Sequence, residues 1–438
     1  MNTLTLDARG LHSAITDPAI TSLGFLNEAM GRYPDAVSFA PGAPHVSFLD
    51  DIDLTECLRR FTDHLEQDRG FDPVRARRLL QEYGPSRGII NHLVAGALAR
   101  DHGLPVDDAH VVVTAGCQEG MLLAVRALCA SPGDVLAVVD PSFVGIVGAA
   151  RLLGVPVVPV PETADGVDLA ELARRCRDER AQGRRVRALY VAPDYANPSG
   201  TVLDRAHRLA LLDLAEREDL LLLEDIAYGF TAPPGQDLPS LKTLDERGRV
   251  VVLGTFAKIC LPGARVGFVV ADQHVHDERT GEKRRLAECL ADLKTMVTVN
   301  TSPIAQAVIG GLILRSGGSL AELGRAKAAL YRRNLALLLD ALDRQVAGTV
   351  PGVTWNRPAA GFFVRLSLPV EADMTLLERS AREYGVLWTP MAPFHLGGGG
   401  VRELRLSCSY LDPSDIDTGV ARLAALLADA VAREGATG

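Results

Sequence analysis

The 438-residue chain is predicted to adopt an α/β fold, with a mainly parallel, doubly wound sheet in a large domain and a smaller α+β domain. Three observations support this. Strand patterns alternate with helical ones from about residue 87 to residue 270, as in a sheet built by crossovers. A mostly helical stretch over 283–345 is then followed by strand, strand and helix over 351–438. The length also exceeds what one simple core accommodates. The expected division is an N-terminal arm with part of the small domain (1–50), a large ligand-binding domain (51–300), and a linking helix with the C-terminal small domain (301–438).

Residues 1–45 read as mixed helix and loop, ending in Ser38-Phe-Ala-Pro-Gly-Ala-Pro-His45, where Pro and Gly forbid regular structure. Helical spacing over Leu93–Ala99 leads to a strand at His110–Thr114, a helix at Gln118–Leu128 and a strand at Asp134–Val139. The prolines in Val155–Val160 demote that strand to an edge. Helix Leu169–Arg180, strand Ala188–Ala192, helix Arg205–Glu218 and strand Leu220–Glu224 continue the rhythm. Strands Val250–Leu253 and Val266–Val270 follow, apolar without alternation and so buried on both faces. Asp272–Arg285 reads as a solvated loop, and Leu320–Leu342 as a long helix. Strands at Gly361–Leu366 and Leu404–Ser407 and a helix at Pro413–Arg433 complete the chain.

Composition narrows the class. Hydrophobic content of 47 % with 23 % charged residues describes a soluble globular protein. A net charge of −9 argues against a nucleic-acid surface. No signal peptide or membrane-spanning run is read, and seven scattered cysteines without a CxxC pair fit reduced thiols. A cytoplasmic protein without metal is expected. Only five of the 46 basic residues are lysines: Lys242, Lys258, Lys283, Lys294 and Lys327. Any search for a catalytic lysine is therefore short.

Ligands in open α/β sheets sit beyond the carboxyl ends of the strands. Ala115-Gly116-Cys117-Gln118 follows the first strand and opens a helix, where backbone N–H groups can face an anion. Phe143, Asn197, the pair Asp225 and Tyr228, and the run Gly254-Thr255-Phe-Ala-Lys258 to Arg265 follow later strands. Each alone is weak, since a lone Asp at a strand end is usually a turn residue and Asn-Pro is usually only a turn. One ligand would use them all, namely an aromatic, phosphorylated, aldehyde-bearing cofactor. Arg265 and the Gly116 helix start would hold its phosphate, and Phe143 would stack on its ring. Asn197 and Tyr228 would bond a ring oxygen, Asp225 a protonated ring nitrogen, and Lys258 the aldehyde. That describes pyridoxal 5′-phosphate.

Pro193-x-x-x-Asn197-Pro-Ser-Gly200, Asp225-x-x-Tyr228 and Thr255-Phe-Ala-Lys258-x-x-x-Pro262-Gly-x-Arg265-x-Gly267 resemble the signature of class I/II aminotransferases of pyridoxal phosphate fold type I. The similarity extends over most of the chain. Tyr83-Gly-Pro-Ser-Arg-Gly88 resembles the segment whose tyrosine reaches the phosphate in the neighbouring subunit, which implies a homodimer with shared active sites. By the same resemblance Gly42 contacts the substrate carboxylate through its backbone and Arg405 binds it. The fit is with the aminoadipate/kynurenine aminotransferase-like subgroup. Phe39–His45 is similar to the same segment in antibiotic-biosynthesis transaminases such as the dihydroxyphenylglycine transaminases. Cys117 and Ala257 stand where the family often has Ser, and Phe143 where Tyr is frequent. Backbone donors and Thr255 remain for the phosphate, so binding is expected with modestly weaker retention.

The resemblance implies an amino group moved between an L-amino acid and a 2-oxo acid. Lys258, Asp225 and Tyr228 would be catalytic, and Gly42, Asn197 and Arg405 would hold substrate. The core motifs are shared with oxidative deamination, cyclisation and side-chain substitution on the same scaffold. A ligand-sensing transcription factor would carry a basic DNA-binding module, which the sequence before residue 38 does not show. His45, Tyr195 and His395 are candidates to line the side-chain pocket, each with an ordinary loop or surface role as the competing reading.

Overall fold

The computed structural model describes residues 3–17, 20 and 31–437. The part of the N-terminal helix-and-loop expectation at 1–2, 18–19 and 21–30 lies outside them.

The main sheet contains β1 (Val111–Thr114), β2 (Asp134–Asp140), β3 (Val157–Thr163), β4 (Arg185–Val191), β5 (Leu221–Asp225), β6 (Val250–Thr255) and β7 (Gly267–Val270). Its order is β1-β7-β6-β5-β4-β2-β3, extended by the two-residue strand Gly166–Val167. Strands β3, β2, β4, β5 and β6 run parallel, and helices such as Cys117–Leu128 and Arg205–Glu218 connect or flank them. Alternate side chains enter different clusters: Val111 and Val113 one, Val112 the other. Both faces are therefore covered, and polar alternation is absent for that reason.

Two features differ from the sequence expectation. Strand β7 is antiparallel to both neighbours, because the connection Phe256–Val266 is too short to carry a crossover helix. Residues 272–285 are not simply a solvated loop: His274–Asp277 pairs antiparallel with Glu282–Arg285. The charged side chains there had hidden a hairpin with little apolar surface. Strand β3 is an edge as expected over most of its length, since only Glu162 and Thr163 find an outer partner.

Between residues 51 and 87, where no element had been read, helices Leu54–Gln67 and Pro73–Gln81 form. Asp53 caps the first by accepting from the Glu56 N–H, and Asp72 caps the second by accepting from Val74 and Arg75. A smaller sheet holds β8 (Thr354–Trp355), β9 (Phe363–Ser367), β10 (Thr389–Pro390) and β11 (Glu403–Ser407), in the order β8-β9-β11-β10. Val364, Leu366, Leu404 and Leu406 point into a second core with Phe39, Leu338 and Trp388. The opposite face of β9 and β11, carrying Phe363 and Arg405, turns toward the carboxyl ends of the main sheet.

Candidate active site

A cavity of about 370 Å³ opens where the two sheets face one another. It is lined by Gly42, Cys117, Gln118, Phe143, Asn197, Asp225, Tyr228, Thr255, Lys258, Arg265 and Arg405, all singled out from sequence. Gly116 is the N-cap of the adjoining helix rather than a lining residue. Tyr83 stands apart on the surface, 88 % exposed. His45 bonds Ser47 and Asp412, Tyr195 lines a different cavity, and His395 sits behind the wall, so none of the three lines this one.

Asp225 ends the central strand β5, where its carboxylate is buried. It accepts from the Tyr190 hydroxyl at 2.7 Å and the Ala227 N–H at 3.0 Å. Burial pushes its pKa up against both bonds and the nearby Lys258 charge. Tyr190 was missed as a site residue. Its signal was present: parallel register sets Tyr190 beside Leu223, two residues and one pleat from Asp225.

Lys258 follows β6, and its ammonium donates to the Gly42 carbonyl at 2.5 Å. Burial, with Arg405 and Arg265 nearby, brings its pKa down to about 8 despite Asp225. Arg405 donates to Asn197 Oδ1 at 2.6 Å, the Ala40 carbonyl at 2.9 Å and Thr389 Oγ1 at 3.2 Å. Its Nε has no partner, and its guanidinium lies over the rings of Phe363 and Phe394. Burial lowers its pKa to about 10. Burial and the Asp225 charge push the Tyr228 phenol up, so it stays protonated.

At the other end, helix Cys117–Leu128 begins without a side-chain cap, leaving first-turn N–H groups free for an anion. Gly267 permits this arrangement. A Cβ there would meet Cys117 N at 2.5 Å and the Gly116 carbonyl carbon at 2.7 Å.

These residues fit pyridoxal phosphate. Asp225 is a buried anion bonded only to neutral donors, which calls for a cation such as a pyridinium. The uncapped helix and Arg265 offer an anion site, and the partnerless Arg405 Nε calls for a second anion. Among the described residues no cluster of His, Cys, Asp or Glu could hold a metal.

The fold and the pocket define a pyridoxal phosphate enzyme of fold type I. Residues 56–423 match the family model "Aminotransferase class I and II", and the chain belongs to that family. It is 46 % identical over 422 residues to the (S)-3,5-dihydroxyphenylglycine transaminase of Amycolatopsis orientalis, covering 96 % of this chain and 94 % of that one. It is 30 % identical to the 2-aminoadipate transaminase of Thermus thermophilus, covering 89 % of each. The fold matches the crystal structure of an archaeal alanine:glyoxylate aminotransferase with a TM-score of 0.81 at 26 % identity, over 97 % of this chain and 100 % of the other. The protein is thus a pyridoxal phosphate-dependent aminotransferase, acting between an L-amino acid and a 2-oxo acid.

Proposed function

We propose that this aminotransferase acts on an amino acid with an aromatic side chain, an arylglycine in particular, in antibiotic biosynthesis. The observation that carries this is the lining around Arg405. Phe363 and Phe394 lie against its guanidinium, Phe143, Met121 and Val144 line the same cavity, and the other cations of the lining are Lys258 and Arg265. Among the described residues of the lining, Arg405 and the two cofactor-facing cations leave none for a second substrate carboxylate. An aminoadipate-like side chain would enter an apolar wall unpaired, whereas an aryl ring would pack on aromatic faces. The similarity to a dihydroxyphenylglycine transaminase supports the same substrate class.

Pyridoxal phosphate, when bound, supplies an aldehyde and an electron-accepting pyridinium ring. Asp225 would keep the ring nitrogen protonated, and Asn197 and Tyr228 would hydrogen-bond the ring oxygen. The first turn after Gly116, with Cys117, Gln118, Thr255 and Arg265, would hold the phosphate. Lys258 would hold the cofactor's aldehyde carbon, and its amine, when free, would serve as the base for the substrate Cα proton. A pKa of about 8 leaves that amine partly neutral near pH 7. Arg405 fixes the α-carboxylate, with Gly42 beside it.

The enzyme works as a cytoplasmic homodimer in which Tyr83 reaches the partner's phosphate site; the 88 % exposure of this phenol in the single chain supports the reading. The test is a donor screen following pyridoxamine phosphate formation. Arylglycines should exceed 2-aminoadipate at least about tenfold in kcat/KM. Equal or better use of 2-aminoadipate would overturn the substrate assignment.

A further inference from the structure

Behind the cavity wall lies a charged cluster that the proposed chemistry does not use. His395 has Asp140 Oδ2 at 3.6 Å from Nδ1 and Glu403 Oε2 at 3.4 Å from Nε2. The ring is mostly buried, and its Nε2 and Glu403 Oε2 lack a hydrogen bond of ordinary geometry. Both ring nitrogens thus face carboxylates, which only the doubly protonated imidazole can satisfy. The ring is also closely packed. A Cβ on Gly400 would meet His395 Cδ2 at 2.4 Å, and one on Gly399 would meet Nδ1 at 2.9 Å.

The cluster joins the two sheets. Asp140 ends β2 of the main sheet, three residues before Phe143, and accepts the Leu396 N–H at 2.9 Å. Glu403 begins β11 of the small sheet and lies on the same strand face as Arg405, two residues on. Phe394, adjacent to His395, lines the cavity under the Arg405 guanidinium, and its carbonyl accepts the Ser142 N–H at 2.9 Å. His395 therefore sits at the junction of the Phe143 wall, the Phe394 wall and the strand that presents Arg405.

We propose that His395 is a positioning residue: as a cation between Asp140 and Glu403, it keeps Phe394 and Arg405 seated against the main sheet and so sets how tightly the substrate is held. The inference rests on the reading of Arg405 as the carboxylate anchor. Burial opposes the charge, but Asp140 and Glu403 outweigh it and raise the His395 pKa to about 9. Arg365 on β9 bears on Glu403, and Glu162 on β3 senses both Arg365 and His395. The sign follows from proton linkage. A histidine pKa raised above its ordinary value stabilises fully below about pH 6.5 and is lost as pH rises through about 9.

The probe is phenylacetate, a carboxylate with an aryl group and no amine, bound to the pyridoxal phosphate-loaded enzyme. His395→Gln should raise its inhibition constant about tenfold near pH 7, and KM for donors likewise, with kcat and the cofactor spectrum little changed. The wild-type inhibition constant should rise in a step near pH 9; in His395→Gln that step should vanish, leaving only the later rise as Arg405 titrates near 10. His395→Lys restores a cation without the ring, and should recover affinity and carry it past the wild-type limit. Wild-type affinity in His395→Gln, or an unchanged step near pH 9 in it, overturns the proposal. Should His395→Gln fail to fold, a ring titration of wild-type His395 by NMR decides: a midpoint near the ordinary 6.5 refutes the cation. Arg405→Lys, measured in parallel, separates the two readings. If it too leaves phenylacetate binding intact, the anchor reading fails; if it alone weakens binding, only the role of His395 fails.

Discussion

The Tyr190 hydroxyl donates a 2.7 Å hydrogen bond to the buried carboxylate of Asp225, across the parallel pairing of β4 and β5. This bond favours the ionised carboxylate against the burial that disfavours it. Tyr190→Phe should therefore weaken pairing with the pyridinium. A hydrogen bond to a charged group is worth about 1.5–3 kcal/mol, so single-turnover rates should fall roughly 10- to 100-fold. Asp225→Asn should cost more, because it removes the charge itself. A Tyr190→Phe enzyme with unchanged rate and cofactor affinity would show that the bond is only structural.

Borohydride reduction of the pyridoxal phosphate-loaded enzyme, followed by peptide mapping, should label Lys258. The competing lysines have other work or lie elsewhere. Lys242 pairs with Asp272, Lys294 with Glu119, and Lys327 donates to the carbonyls of Ile259 and Cys260. Lys283 lies in the exposed hairpin. Label on any of these four would refute the assignment.

Arg405→Lys should lower kcat/KM for every amino donor on the order of 30-fold or more, with little change in the resting cofactor spectrum. The guanidinium spans Asn197, Ala40 and Thr389 at once, and an ammonium cannot reproduce that fork. Loss of bound cofactor as the main effect would move the carboxylate site elsewhere. Arg365, opposite Arg405 across β9 and β11, and Arg402, which is exposed and pairs with Glu434, would be next in line.

Tyr83→Phe should raise the cofactor's dissociation constant roughly 10- to 100-fold, the cost of about one hydrogen bond to a charged group, while light scattering still reports a dimer. A competent monomer would refute the shared site. So would a variant whose cofactor affinity is unchanged.

Much of this molecule is legible in its sequence, because local chemistry and strand order suffice. The runs Val111–Thr114 and Val250–Thr255 are strands for want of polar alternation, and the residues that follow them must reach the carboxyl edge of the sheet. Asp225, Asn197, Lys258 and Arg265 were findable for that reason. The alternation of β11 likewise separates Arg405 from Leu404 and Leu406. Other features depend on contacts between distant segments. That Phe394 and Phe363 wall the pocket is a consequence of packing, to which no local spacing points. His395 makes the division plain. In sequence it is one histidine before a run of glycines; only the approach of Asp140 from one sheet and Glu403 from the other surrounds it with negative charge. Its charge state is set by neighbours 255 and 8 positions away along the chain, because electrostatic energy depends on distance through space and on burial, and folding alone supplies both.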